Sequence, residues 1–210
     1  MTTMKILLAS DLHGSENAVA VILAAIDGMT PDVFVACGDV TNFGPTTFAT
    51  DFLRDVSVKT FAVPGNCDPP ELVDDLEAMG VNLHGKRAEF GGKTFIGLGA
   101  SNSPPFDTMF ELSEDDIARM LEPIMEKGAI LVSHPPPLGL CDVARDGSHA
   151  GSSAVRTLVD KFQPRLVLSG HIHEARGVHR GKTTVVNAGM AARGNLALID
   201  INGEIDVKLL

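Results

Sequence analysis

Short, nearly unbroken apolar runs alternate along the chain with stretches whose apolar residues recur at helical spacing. Runs at residues 4–10, 32–38, 60–65, 129–134 and 166–170 are rich in Ile, Val, Leu and Phe and show no polar face. That is the pattern of parallel strands covered on both sides. Between them, residues 16–26, 46–53, 70–79, 113–125 and 153–162 read as amphipathic helices, so the chain is a succession of βαβ units. Two regions break the alternation. Residues 87–99 carry Gly91-Gly92 between apolar runs, and residues 177–189 carry His179-Arg180-Gly181-Lys182, so each predicts an antiparallel hairpin. A third hairpin is expected at the end, with strands at 196–201 and 205–210 around Asn202-Gly203, a favoured two-residue turn. The pattern predicts one domain over residues 1–210, a parallel-cored α/β sheet with antiparallel additions. No linker, low-complexity tract or fixed-period repeat interrupts it.

Composition narrows the function classes. At 210 residues, 44% hydrophobic and 21% charged, the chain is neither disordered nor coiled coil nor collagen-like. Lys and Arg number 17 against 27 Asp and Glu, a formal charge of −10. This disfavours nucleic acid and anionic membranes as general partners, while leaving room for a local basic groove. Cys37, Cys67 and Cys141 are too few and too scattered for a disulfide framework, which fits a reducing, cytoplasmic setting. The opening segment, with one Lys and a short apolar run before Asp11, is too short for a signal peptide, and no segment is apolar enough to span a membrane.

The chemistry sits where strands end. Asp11-Leu12-His13 follows the first run, Gly38-Asp39 the second, Gly65-Asn66-Cys67-Asp68 the third, Ser133-His134 the fourth and Gly170-His171-Ile172-His173 the fifth. In open α/β sheets the carboxyl ends of the strands line one crevice, so these distant motifs are expected to converge. Asp11, His13, Asp39, Asn66, His134, His171 and His173 offer carboxylate, imidazole and amide donors. Such donors suit divalent Mn, Fe, Zn, Co or Ni, and the scarcity of Cys excludes a structural zinc knuckle. They are too many for one tetrahedral ion and suit two ions about 3.5–4 Å apart that share a carboxylate.

In this order the blocks resemble the calcineurin-like metallophosphoesterases, whose pattern is D-x-H, G-D, G-N-H-[DE], a lone H and G-H-x-H. With Asn187-Ala188-Gly189 after the last block, the resemblance spans nearly the whole chain. It implies a four-layer α/β/β/α sandwich with mixed, mostly parallel sheets around a dinuclear centre. Asp11, His13, Asp39 and His173 would hold one ion, and Asp39, Asn66, His134 and His171 the other, with Asp39 as the bridge. The implied activity is metal-dependent phosphoester hydrolysis by a bridging hydroxide, with Asp39, Asn66, His134 and Cys67 in catalytic positions.

Cys67 stands where the family pattern has the His thought to protonate the leaving group, and a thiol is a poorer acid there. The expectation is therefore a small phosphoester substrate with a good leaving group, diesters ahead of monoesters, or an acid supplied by water or by His149. The loop from His134-Pro135-Pro136-Pro137 through Asp142 to Gly147-Ser148-His149 opens onto a helix, whose N-terminus can hold an anion, and it resembles the D…H-x-G-S loop of small intracellular phosphoesterases; that resemblance makes His149 and Arg156 candidate substrate residues, beside Asn66, which would also touch the phosphate. Residues 101–106 are a candidate lid. The competing class is a non-catalytic scaffold of the same fold that binds a partner protein. Exposed sheet edges admit a homodimer. Asp68 reads equally well as a helix cap before Pro69-Pro70, and His84 and His179 as solvated loop or hairpin residues. Gly80-x4-Gly85-Lys86 has P-loop spacing, but Arg87 replaces the required Ser or Thr, so a nucleotide-triphosphatase loop is excluded.

Overall fold

The apolar runs pair into two large sheets where the pattern alone led us to expect one. The structure, a computed structural model, describes residues 3–103 and 107–210. Its strands are β1 (Met4–Ala9), β2 (Val33–Cys37), β3 (Lys59–Val63), β4 (Arg87–Phe90), β5 (Lys93–Leu98), β6 (Ser101–Asn102), β7 (Glu111–Leu112), β8 (Ile130–Ser133), β9 (Leu166–Ser169), β10 (Gly177–Arg180), β11 (Thr184–Asn187), β12 (Ala197–Asn202) and β13 (Glu204–Leu209). The helices are α1 (Glu16–Met29), α2 (Thr46–Arg54), α3 (Leu72–Ala78), α4 (Glu114–Leu121) and α5 (Ser153–Phe162). One sheet has the order β13-β12-β1-β2-β3 and the other β10-β11-β9-β8-β5-β4. Strands β1, β2 and β3 are parallel, as are β5, β8, β9 and β11, while β4, β10, β12 and β13 add antiparallel edges.

Burial explains why the runs lack a polar face. Alternate residues of one strand point to opposite sides. Ile6, Leu8, Val35 and Phe61 of the first sheet meet Phe95, Val132, Leu168 and Val186 of the second in a core between the sheets. Phe61 and Phe95 touch across it with ring centroids 4.7 Å apart. Leu7, Phe34 and Ala36 face the other way, into a core with Ile22 of α1, Phe52 of α2 and Leu76 of α3. Ile96, Leu131 and Val167 do the same with Ile117 of α4 and Leu158 of α5. The layering is therefore α/β/β/α.

Local departures have identifiable causes. Helix α4 stops at Leu121, short of residue 125, because Pro123 has no N–H to continue the ladder. The closing hairpin pairs Ile201 with Ile205 and Asn202 with Glu204, leaving Gly203 alone at the apex with φ 73°. The expected two-residue turn would have paired Ile201 with Glu204. The observed register sets Ile201, Ile199 and Ala197 opposite Ile205, Val207 and Leu209 on the face toward the inter-sheet core, so burial overrides the turn preference. Among the described residues no helix is long and apolar enough to cross a membrane.

His84 also corrects the sequence reading, since it is half-buried. Its Nδ1 accepts the Gly99 N–H at 2.8 Å, and its ring meets Phe110 at 5.4 Å. Burial pushes its pKa down from 6.5 to about 4, so the ring is neutral in the fold. A histidine with a lowered folded pKa contributes fully above its unfolded pKa, and that contribution is lost as the pH falls toward the folded value. We expect a loss of about 3 kcal/mol at most between pH 6.5 and 4. His84→Asn keeps an acceptor but cannot titrate, and should flatten this slope in denaturant unfolding curves measured across the same range.

Candidate metal centre

The candidate ligands leave strand ends of both sheets: Asp11 and His13 after β1, Asp39 after β2, Asn66 after β3, His134 after β8, and His171 and His173 after β9. Backbone bonds extend the β1–β2 pairing past the strands. The Asp11 N–H donates to Gly38 O at 3.0 Å, His13 N–H to Asp39 O at 2.9 Å and Gly14 N–H to Val40 O at 3.0 Å. Asp11 (φ 60°), His13 (47°), Asp39 (50°) and His171 (65°) are all left-handed. Non-glycine residues seldom adopt this conformation, and its clustering at one place marks a functional site.

The glycines of the motifs have a spatial reason. A Cβ on Gly65 would lie 2.1 Å from Asp39 Oδ1, and one on Gly170 would lie 1.8 Å from Ser10 Oγ and 2.5 Å from Asp11 Oδ2. Only a residue without a side chain lets these segments close around the two carboxylates.

Asp39 lies between two groups of imidazoles. Its Oδ2 is 3.8 Å from His13 Nε2 and its Oδ1 is 3.5 Å from His134 Nε2. On the first side, His173 Nε2 is 3.1 Å from Asp11 Oδ1 and 3.2 Å from His13 Nε2. On the second, His134 Nε2 is 3.0 Å from Asn66 Oδ1, and the His134 and His171 ring centroids are 5.0 Å apart. The Cys67 N–H donates to Asp39 Oδ1 at 2.8 Å, and the His171 N–H to Asp11 Oδ2 at 3.0 Å.

Asp11, Asp39 and His134 are buried, so their charges act strongly on one another. Burial lowers the pKa of His13, and burial with the charge of His134 pushes His171 down to about 3, so both rings are neutral. Burial opposes a charge on His134, but the charge and hydrogen bond of Asp39, then Asp11, raise it to about 9. The hydrogen bond to Asp11 raises His173. Burial opposes ionisation of Asp39, yet His134, His13 and the Cys67 N–H hold its carboxyl well below the usual range. Burial and then Asp39 push the Cys67 thiol far above the ordinary thiol range.

This donor set fits divalent cations. His134 Nδ1 lies 2.8 Å from the Cys37 carbonyl and donates its hydrogen there, which turns the Nε2 lone pair toward the Asn66 and Asp39 oxygens. Three acceptors facing one another require a positive charge among them. At neutral pH the raised pKa of His134 supplies a proton, which a metal ion would displace. Ligand atoms of Asp11, His13 and His173 lie within 4.8 Å of one another, as do those of Asp11, Asp39 and His134. His13, Asp39 and Cys67 form a further such group, which sequence reasoning had not considered.

Other expected residues fare differently. His149 Nδ1 is 2.7 Å from Asp142 Oδ1, and the His149 side chain is 53% exposed. Asp142 is buried and also accepts the N–H groups of Gly139 at 2.8 Å and Gly151 at 3.2 Å. Their loop is tied to the histidine segment, because Asn187 Nδ2 donates to the carbonyls of Cys141 (3.2 Å), Gly170 (3.1 Å) and Ile172 (3.0 Å). Arg156 is not brought to the site. It bonds Asp160 at 2.9 Å and the Leu138 carbonyl at 3.0 Å, and lines a cavity of about 390 Å³ that none of the seven candidate ligands shares. A cavity of about 300 Å³ does adjoin the centre, walled by His13, Thr41, Asn42, Pro45 and Phe48. Asp68 is no helix cap: its carboxylate accepts hydrogen bonds from Val40, Thr41 and Gly65. In the expected lid, Ser101 and Asn102 form β6, and residues 104–106 lie outside the described residues.

Comparison with known proteins places the chain. The calcineurin-like phosphoesterase family matches residues 4–175, a span that holds all seven candidate ligands. The chain belongs to this family. The uncharacterized protein MJ1162 of Methanocaldococcus jannaschii is 34% identical over 197 residues, covering 88% of this chain and 87% of its own. A Synechococcus protein named "Probable cyclic nucleotide phosphodiesterase" is 24% identical over 170 residues, 79% of this chain and 67% of its own. A dimetal phosphatase from Danio rerio shares the fold with a TM-score of 0.71 at 14% identity, covering 100% of this chain and 96% of its own. Calcineurin-like phosphoesterases are generally hydrolases that bind divalent metals.

Proposed function

We propose that the protein hydrolyses small phosphoesters, diesters in preference to monoesters, with two divalent cations held by the seven ligands. The observation that carries this reading is Asp39, one carboxylate whose two oxygens face different histidines, His13 at 3.8 Å and His134 at 3.5 Å. The name of the Synechococcus relative supports the diester preference. When bound, the cations supply a hydroxide nucleophile at neutral pH and stabilise charge on the phosphoryl oxygens.

The chain's own residues set the rest. Asp11, His13, Asp39 and His173 hold one cation, and Asp39, Asn66, His134 and His171 the other. The Cys37 carbonyl fixes the His134 tautomer by accepting from Nδ1, which leaves Nε2 as the ligand atom. Cys67 is a weak proton donor, because burial and Asp39 keep its thiol so hard to ionise. His149 is the better leaving-group acid: Asp142 holds its Nδ1 at 2.7 Å and leaves Nε2 for proton transfer.

The test is to strip the protein of metal and titrate Mn²⁺ while following hydrolysis of bis-(p-nitrophenyl) phosphate beside p-nitrophenyl phosphate. Turnover that appears with metal, saturates at two ions per chain and is faster for the diester is the expected result. A faster monoester overturns the diester preference. Two bound ions without turnover would replace the catalytic reading with that of a scaffold.

A further inference from the structure

Asn66 is buried, and its amide has two ends with opposite chemistry: Oδ1 can ligate a cation, while Nδ2 can only donate hydrogens. A half-turn about the last side-chain bond exchanges them, so something must select the orientation. Oδ1 faces His134 Nε2 at 3.0 Å, and Nδ2 faces Thr108 Oγ1 at 3.2 Å. The other neighbour of Nδ2, Cys67 Sγ at 3.7 Å, is a weak acceptor.

Thr108 is itself constrained. Its hydroxyl hydrogen goes to Glu111 Oε1 at 2.6 Å, and the same oxygen takes the Thr108 N–H at 2.7 Å. A hydroxyl has one hydrogen, so Thr108 Oγ1 is left able only to accept from Asn66. The segment is held against Asn66 by its backbone as well: the Phe110 N–H donates to the Asn66 carbonyl at 3.1 Å, and β6 pairs with β7 from Ser101–Glu111 to Asn102–Leu112. The spacing Thr-x-x-Glu commonly opens a helix. Here no helix follows, because Glu111 begins β7, and the pair has been turned toward Asn66 instead.

We infer that Thr108 and Glu111 are positioning residues for the metal centre, a two-step relay in which the Glu111 carboxylate fixes the Thr108 hydroxyl and the hydroxyl fixes the Asn66 amide with Oδ1 toward the cation. The inference rests on the proposed role of Asn66 as a ligand. Neither residue is among the candidate ligands. Their effect is to remove the flipped amide from the ensemble, so that binding does not have to select against it.

The test measures Mn²⁺ binding to the full chain by calorimetry, with melting temperature and kcat/KM alongside. Thr108→Val keeps the shape and deletes the acceptor, and should weaken Mn²⁺ binding by about 10–100-fold, the usual effect of losing a partner that orients a ligand. Thr108→Ser should restore binding to near wild type. Glu111→Ala should weaken it too, because it removes the one oxygen that takes both Thr108 donors and frees the hydroxyl hydrogen to turn toward Asn66. In an Asn66→Ala background, Thr108→Val should add almost nothing. If Thr108→Val does not melt cooperatively, Glu111→Ala and Thr108→Ser carry the same comparison. Wild-type affinity in Thr108→Val, or a loss that persists in full without Asn66, overturns the relay. Failure of the wild-type protein to bind Mn²⁺ would instead overturn the proposed function.

Discussion

Asp39→Asn is expected to lower metal-dependent kcat/KM for a phosphodiester by on the order of 10³-fold, about 4 kcal/mol of transition-state stabilisation, while the chain stays folded. The substitution is nearly isosteric, and Asn Oδ1 can still accept the Cys67 N–H that Asp39 takes at 2.8 Å. What it removes is the negative charge between His13 and His134. With one oxygen replaced by an NH₂ group, the side chain can no longer offer an acceptor to both sides, so two cations held as proposed would lose their shared ligand. His134 loses the main source of its raised pKa, so its proton is held less tightly beside one fewer anion. The fold should tolerate this, because Asp39 is also the charge that disfavours ionisation of Asp68 and Cys67. Turnover against Mn²⁺ concentration, with a thermal melt of the same preparation, measures both halves. A variant that retains more than a tenth of wild-type kcat/KM would rule out Asp39 as the bridge.

The convergence of the seven candidate ligands was legible because they follow strands directly and because Gly65 and Gly170 leave no space for a side chain beside them. The order of the blocks carries the site even though the chain brings them from two sheets. Which strands neighbour which was not legible: β2 and β8 are equally apolar on both faces, and such a run does not say which partner covers it. The last hairpin shows the same limit at smaller scale, since Asn202-Gly203 favours one turn and the inward apolar row requires another register. Residues that act by hydrogen bonding across the fold left the weakest trace. Thr108 reaches Asn66 over 42 positions, and only the Thr-x-x-Glu spacing hinted at any role. Arg156 stands differently: its position after a small-residue loop suggested a substrate role, and the structure sets its side chain on Asp160 and the Leu138 carbonyl.

Asp68→Ala is expected to cost about 3–5 kcal/mol, the largest loss of stability we anticipate from a single polar substitution here. The buried carboxylate takes the N–H groups of Val40 at 3.2 Å, Thr41 at 2.7 Å and Gly65 at 2.7 Å, and the Thr41 hydroxyl at 2.8 Å. Every contact donates to it, so the ionised form is the one its surroundings need. Burial and the charge of Asp39 raise its pKa to about 6, which still leaves it ionised at neutral pH. Removing it strands three backbone donors in the interior, each costing about 1–3 kcal/mol without a partner. Relief of repulsion with Asp39 returns part of that, which is why the expected total is below the sum. In a chain of this size about 3–5 kcal/mol corresponds to a fall of roughly 10 °C in melting temperature. The effect should reach the metal centre, since the same carboxylate joins the loop that follows Asp39 to the loop that carries Asn66. Mn²⁺ affinity should therefore fall together with stability in Asp68→Ala, and by less in Asp68→Asn, which keeps one acceptor oxygen. A melting temperature within 2 °C of wild type would mean that these loops are held by something other than Asp68.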